Sequence, residues 1–245
     1  MKNSYSNIFT FNKQILNKSI KNLNNGNIVA LPTETVYGLG GNAYSKRSIQ
    51  KIYKLKGRPR SNPLIVHYYN LKDTLKDIVI NENFRKLYYK FCPGPITFVL
   101  EKKHGSKIHP LASAKLKTVA IRFPKHAVVR SILKKIKFPL AMPSANKSTS
   151  VSPVTAEDVF DEFKKKIQLI IDGGKCKIGI ESTVIDLTSS PKILRPGIIN
   201  KELIEKTLRK KIKKNIPNNR VKSPGMMKKH YSPGIPVLIN QKKHD

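Results

Sequence analysis

Gly26-Asn27-Ile28-Val29-Ala30-Leu31-Pro32-Thr33-Glu34-Thr35-Val36-Tyr37-Gly38-Leu39-Gly40-Gly41 is the stretch from which the chain is best read. Ile28 to Leu31 is a short apolar run entered from Asn25-Gly26 and left through Pro32, the pattern of a buried strand bounded by turns. The residues after Pro32 combine threonine hydroxyls, which donate and accept, with glycines that let a backbone come close to a ligand. A loop at the carboxyl end of a strand is where open α/β sheets bind ligands. A plain structural turn accounts for the same residues. The stretch is neither a Walker A loop nor a dinucleotide fingerprint, because both GxxxxGKS/T and GxGxxG are missing.

Working outward, Ile15, Leu16, Ile20 and Leu23 recur at helical spacing and stop at Asn25-Gly26, so a helix precedes the strand. Ser45 suits the N-cap of a second helix carrying Ile49, Ile52 and Tyr53, and Pro59 and Pro63 put 58–62 in a loop before a strand over 64–67. Helical patterns at 71–76 and 84–91 lead to the turn Cys92-Pro93-Gly94-Pro95 and a strand over 97–100. Strands are expected over 118–122, 140–142, 168–172, 183–186 and 192–194, and helices over 127–135 and 155–163. Strands interleaved with helices predict an α/β (α+β) domain on an open, twisted mixed sheet with flanking helices.

Several strand ends carry small polar or cationic groups. Lys56-Gly57-Arg58-Pro59-Arg60-Ser61-Asn62 sets two cations at i and i+2 at a helix end. Such groups suit phosphates and carboxylates, and equally suit the negative end of a helix dipole. Arg58 is expected to be an exposed cation whose removal spares the fold. Arg122 ends an apolar strand, Met142-Pro143-Ser144-Ala145-Asn146 follows another, Glu181-Ser182-Thr183 precedes one, and Leu194-Arg195-Pro196-Gly197 follows one. Taken together they suggest one shared site. No Ser/His/Asp order, nucleophilic cysteine context or HExxH occurs, which argues against covalent catalysis and a protein-held metal.

With 48 Lys+Arg against 15 Asp+Glu in 245 residues, the net charge is +33, which favours polyanionic partners such as nucleic acid or nucleotide phosphates. AT-rich coding yields the same excess of Lys, Asn and Ile, so the charge alone does not decide the matter. Two cysteines without a CxxC spacing fit a reducing compartment, and neither a long apolar span nor a leader-like start is present. A cytoplasmic protein with no membrane partner is expected. From residue 206 to 245 there are twelve Lys/Arg against one Asp, with four prolines, the character of a linker or arm.

In order and spacing, PTETVYGLG (32–40), KGRPRSNPLIVH (56–67), PGPITFVL (93–100), VAIRFP (119–124), PSANKS (143–148), ESTVID (181–186) and ILRPG (193–197) resemble the YrdC-like domain of threonylcarbamoyl-AMP synthases. The paired signature of that family is present as Lys56/Arg58 and Ser144/Asn146. The resemblance implies a YrdC-like catalytic domain over 13–200 with a basic concave face, and a basic linker or lid over 206–245. SPGM and HYSP in this linker resemble that of the longer, two-domain members, with their further C-terminal domain absent.

It implies an enzyme, a nucleotidyltransferase joining L-threonine, bicarbonate and ATP for threonylcarbamoyladenosine modification of tRNA. The downstream partner is the threonylcarbamoyl-transferase machinery. By resemblance, Lys56 and Arg58 serve catalysis, while Thr35, His67, Arg122, Met142 and Ser182 hold L-threonine. Arg58, Asn62, Thr118, Ser144, Asn146, Ser152, Arg195 and Tyr231 hold ATP, and Mg2+ arrives with the ATP. The alternative is a non-catalytic protein of the same fold that binds double-stranded RNA or tRNA. That alternative predicts an RNA affinity falling by orders of magnitude between about 50 and 200 mM salt, measured by titration across a salt series. A flat dependence rules it out.

Overall fold

The computed structural model describes residues 5–212. In chain order its elements are β1 (Ile8–Thr10), α1 (Lys13–Asn24), β2 (Val29–Leu31), β3 (Gly38–Asn42), α2 (Lys46–Lys56), β4 (Ile65–His67), α3 (Glu82–Phe91), β5 (Ile96–Glu101), β6 (Thr118–Arg122), α4 (Ala127–Lys135), β7 (Leu140–Ala141), α5 (Ala156–Phe163), β8 (Ile170–Asp172), β9 (Thr183–Asp186), β10 (Lys192–Arg195) and α6 (Lys201–Leu208). The strands form one mixed sheet in the order β1-β8-β2-β3-β7-β4-β6-β5-β9-β10. This is the expected α/β architecture.

Local chemistry sets the helix ends. Asn12 caps α1 by accepting the Ile15 N–H, and the Ser45 side chain does the same for Ser48 N–H at the start of α2. Thr155 and Asp158 form a capping box on α5. Gly57, at a left-handed φ of 59°, ends α2 and turns the chain toward Arg58.

Period-two alternation decides what each sheet face meets. Val29, Leu31, Leu169 and Ile171 pack with α1 and α4, whereas Ala30, Leu39 and Ile170 pack with α5 on the opposite face. Across the sheet, Val66, Phe98, Leu100, Val119, Ile121 and Ile185 join a core with side chains of α2, α3 and α6. Its aromatic centre includes Phe84, whose ring lies 5.0 Å from that of Phe98. The pairs Val66–Ala141 and His67–Leu140 carry the alternation from one half to the other. The side bearing α1 and α4 therefore continues as the face bearing Ile65, His67, Ala120, Arg122, Thr97 and Val184. Beyond α1 and α4, the apolar residues on that face are the small cluster Ile65, Val99, Ala120 and Val184. No described helix contributes to this cluster, so the sheet here is bare of helices although its residues are buried, and the cleft described below lies on it.

Three departures from the sequence reading have physical causes. The helix expected over 71–76 is a single 3₁₀ turn at Lys72–Thr74, because the Thr74 hydroxyl donates back to Leu71 O and buried Asp77 turns inward to accept from Tyr44, Tyr68 and Ser106, which interrupts the helical course. Gly38 to Asn42, read as loop, is β3. Its glycines are needed for close packing: a Cβ on Gly38 would lie 2.5 Å from Met142 Cγ. Finally, the boundary expected at 206 falls inside α6, whose Ile204 and Leu208 are buried against α3 with Ile212 beside them. The segment belongs to the core up to residue 212. Ile204→Ala should therefore lower unfolding free energy by about 2–5 kcal/mol, read by denaturant titration. A change within about 0.5 kcal/mol would mean that α6 is not part of the cooperative core.

Candidate active site

Register brings the site together. His67, at the end of β4, pairs with Arg122, at the end of β6, and Arg122 pairs in turn with Thr97 of β5. All three side chains thus stand on the bare face. Seven of the expected residues, Arg58, His67, Arg122, Met142, Ser144, Ser182 and Arg195, line one narrow cavity of about 40 Å³, room for a few water molecules. A larger ligand would occupy the open side of this cavity or displace side chains.

Arg122 is 4% exposed, and its Nη2 donates to Glu34 Oε1 at 2.7 Å. Glu34 Oε2 accepts the backbone N–H of Lys125 at 3.0 Å. Burial pushes the Glu34 carboxyl up, but the Arg122 charge and the hydrogen bonds outweigh it and hold the group below the usual carboxylate range. Arg122 Nε is buried with no hydrogen-bond partner among the described residues. His67 is pulled down to about 3, first by burial and then by the Arg122 charge, so its imidazole is neutral at neutral pH.

A second ion pair faces the first. Arg195 pairs with Glu181, and its Nε and Nη2 donate to the Ser182 carbonyl at 3.1 and 2.9 Å. Nη2 also reaches Ser182 Oγ at 3.1 Å, and Ser182 Oγ lies 2.8 Å from Thr97 Oγ1. Ser152 Oγ donates to Glu181 Oε1 at 3.0 Å. Ser152, Glu181, Arg195, Ser182 and Thr97 form one continuous polar network across two loops and two strands.

The basic cluster after α2 behaves differently from its expected description. Arg58 is half-buried, not an exposed cation. It donates to Asn62 O at 3.0 Å, Asn62 Oδ1 at 2.6 Å and Pro63 O at 2.8 Å, so it also holds its own loop. Asn62 serves the site by orienting Arg58. Lys56 is 2% exposed and does not line the cavity. Its ammonium donates to Ser144 O at 2.6 Å, to the Asn146 carbonyl and to Asn146 Oδ1 at 3.4 Å. With three N–H donors and three acceptors, Lys56 is saturated as a clamp between α2 and the Ser144–Asn146 loop. Asn146 in turn donates to Lys147 O and Ser150 O, shaping the run toward Ser152.

Two further residues stand away from the cavity. Thr35 is fully buried against Thr33, Oγ1 to Oγ1 2.9 Å, and Thr33 is the one of the two that lines the cavity. Thr118 shares the face of Arg122 but begins β6, about 13 Å away along the strand. Tyr231 lies outside the described residues. Among the described residues no group of three or more His, Cys, Asp or Glu could hold a metal ion.

Glu34, Glu181, Thr33 and Thr97 carry no role in the sequence reading, yet Glu34 and Glu181 hold the two arginines, Thr97 meets Ser182, and Thr33 lines the cavity. A signal for the two glutamates did exist. In a chain with 15 acidic residues against 48 basic, a carboxylate beside a threonine or serine at a strand end is a candidate partner for a buried cation.

Fold and site define an α/β domain whose cationic cleft lies on a bare sheet face. Residues 21–197 match the Sua5/YciO/YrdC family model, described as telomere recombination, and the chain belongs to that family. Residues 199–245 match the model described as threonylcarbamoyl-AMP synthase, C-terminal domain. The expectation that the C-terminal domain is absent is corrected to that extent: the matched stretch starts just before α6. The chain is 42% identical over 229 residues to the threonylcarbamoyl-AMP synthase of Pyrococcus abyssi, covering 90% of this chain and 66% of that protein. It is 41% identical over 223 residues to that of Bacillus subtilis, covering 89% and 64%. Its fold is similar to that of P. abyssi Sua5 complexed with L-threonine, with a TM-score of 0.87 at 37% identity over 92% of this chain and 68% of the other. The chain spans about two thirds of the length of these curated relatives.

Burial, then the Arg58 charge, pulls Lys56 down to about 7 from 10.5. The unfolded chain therefore binds the extra proton between those two values, and this group's contribution to stability rises with pH across that window. Relative to Lys56→Met, the unmodified protein should gain stability between about pH 7 and pH 9 in denaturant unfolding. Parallel pH curves would mean that Lys56 titrates in the folded protein as it does in solution.

Proposed function

We propose that this chain is an L-threonylcarbamoyladenylate synthase, which converts L-threonine, bicarbonate and ATP to threonylcarbamoyl-AMP, pyrophosphate and water for threonylcarbamoyladenosine modification of tRNA. The observation that carries this reading is the convergence on one bare half-face of Arg122 with its unpartnered Nε, neutral His67 and Ser182, beside Arg58, Ser144 and Arg195. Membership of the family, and relatives named for this activity, supply the chemistry.

In this reading the threonine carboxylate meets Arg122, whose Nε–H gains the acceptor it lacks. His67, Ser182, Thr35 and the Met142 backbone frame the rest of the amino acid. A neutral imidazole does so without repelling the substrate's ammonium. The free amine forms a C–N bond to bicarbonate with loss of water. A carbamate oxygen then bonds to the α-phosphorus of ATP as the bond to pyrophosphate breaks. Negative charge grows on the phosphates, where Arg58 and Arg195 are placed to offset it.

Ser144, Ser152, Asn62, Asn146 and Thr118 complete the proposed nucleotide contacts, with Tyr231 as a closing contact. Lys56 acts through the Ser144–Asn146 loop that it clamps. Both cleft carboxylates, Glu34 and Glu181, are paired with arginines, so magnesium would enter on the ATP and be held mainly by its phosphates. The product would pass to tRNA through a threonylcarbamoyl-transferase in the cytoplasm. Among the described residues no helix is long and apolar enough to cross a membrane.

Pyrophosphate release should require ATP, L-threonine and bicarbonate together, and substituting serine should reduce it. Release that persists without threonine would sink the reading, and binding without turnover would favour the RNA-binding alternative. Arg58→Ala should lower kcat by about 100-fold or more, assayed on protein verified as folded. A variant with normal turnover would take Arg58 out of the site.

A further inference from the structure

We propose that Glu34 is a positioning residue for Arg122, holding the guanidinium in the cavity wall in the orientation that receives the carboxylate of the amino-acid substrate. This rests on the threonine reading above and adds to it a residue that the reading does not use. Glu34 is fixed from three separate directions. Its Oε1 accepts from Arg122 Nη2 at 2.7 Å, its Oε2 accepts the Lys125 N–H at 3.0 Å, and its backbone carbonyl accepts the Ile178 N–H at 3.0 Å. Glu34 therefore joins the end of β6 and the loop after it through its carboxylate, both oxygens being occupied, and the segment before β9 through its backbone. Side-chain exposure is 10% for Glu34 and 5% for Arg122, so bulk water does not set either rotamer.

Stability alone is a poor explanation for this arrangement. A buried ion pair gains little over a well-packed apolar replacement. Among the described residues this one also leaves Arg122 Nε buried without an acceptor, a costly state for a donor. The guanidinium lines the cavity beside His67 and Ser182, where a planar carboxylate would pair with it and, with a small shift of the surrounding side chains, supply the acceptor that the buried Nε lacks. An arginine has several rotatable bonds, and without Glu34 the guanidinium would sample other directions. Substrate binding would then have to restrict it. The charge of Glu34 offsets that of Arg122, so recognition here depends on the direction of the N–H and not on net charge. Substrate affinity should accordingly fall when Glu34 is neutralised, even though the site becomes more positive.

The test compares the full chain with Glu34→Gln and Glu34→Asp. It measures KM for L-threonine and for ATP in pyrophosphate release, threonine binding by calorimetry, and thermal unfolding. Glu34→Gln should raise the threonine KM and Kd by about ten-fold or more while the ATP KM changes less than about two-fold. Glu34→Asp, which keeps the charge but is one methylene shorter, should fall between the two. A threonine KM that stays constant while only the unfolding temperature drops would overturn the proposal and leave Glu34 a purely structural residue. Equal rises in both KM values would overturn it as well. Should Glu34→Gln fail to fold, Glu34→Asp is judged by the same two criteria. The unmodified chain separates the two claims. If it neither binds threonine nor turns it over, the functional reading itself fails. If it does both and the variants keep its threonine KM, only the positioning role fails.

Discussion

A buried charge has to be paired, and that requirement organises the cleft. Arg122 and Arg195 reach the bare sheet face from strand ends, and each meets a glutamate supplied by a loop, Glu34 and Glu181. These pairs do more than neutralise. Glu34 ties the loop after β2 to the loop after β6, and Glu181 ties Ser152 to the end of β10. Segments far apart in sequence are therefore fixed relative to one another by polar bonds where there is little apolar packing to do it.

The rest of the molecule serves as the scaffold that keeps helices off this part of the sheet. α1 and α4 cover the other half of this face, while α2, α3, α5 and α6 bury the opposite side. At the seam stands Lys56, whose ammonium is saturated by the Ser144–Asn146 loop and so fixes α2 to one wall of the cleft. Gly38 allows Met142 to approach β3 and take its place in the lining. Rigidity around the site thus comes from hydrogen bonds and close backbone packing, and the apolar core holds the strands that carry them.

Much of this was legible in the chain. Apolar periodicity, with Ser45 as a capping residue for α2, located α1 to α5, and the strand patterns located β5, β6 and β9 close to their observed ends. Gly38 to Asn42 escaped because glycines lack the side chains by which a strand is read, and their use here depends on a neighbour 104 residues away, Met142. α6 escaped because its few apolar residues sit in a lysine-rich background and face α3, a partner invisible in local sequence. Lys56 could be recognised as a site residue by its motif. That its charge points into carbonyls and away from the cavity depends on how two distant segments pack.

By itself the sequence determined the interleaved α/β order, the family and the set of polar strand ends, because periodicity, caps and motif spacing are local and survive without coordinates. Tertiary structure alone decided which of those polar groups meet. Strand register placed His67, Arg122 and Thr97 side by side, and loop closure gave Arg122 and Arg195 their glutamates. Pairing across 88 residues in Glu34–Arg122 is a long-range contact with no local signature, and only the folded sheet makes it.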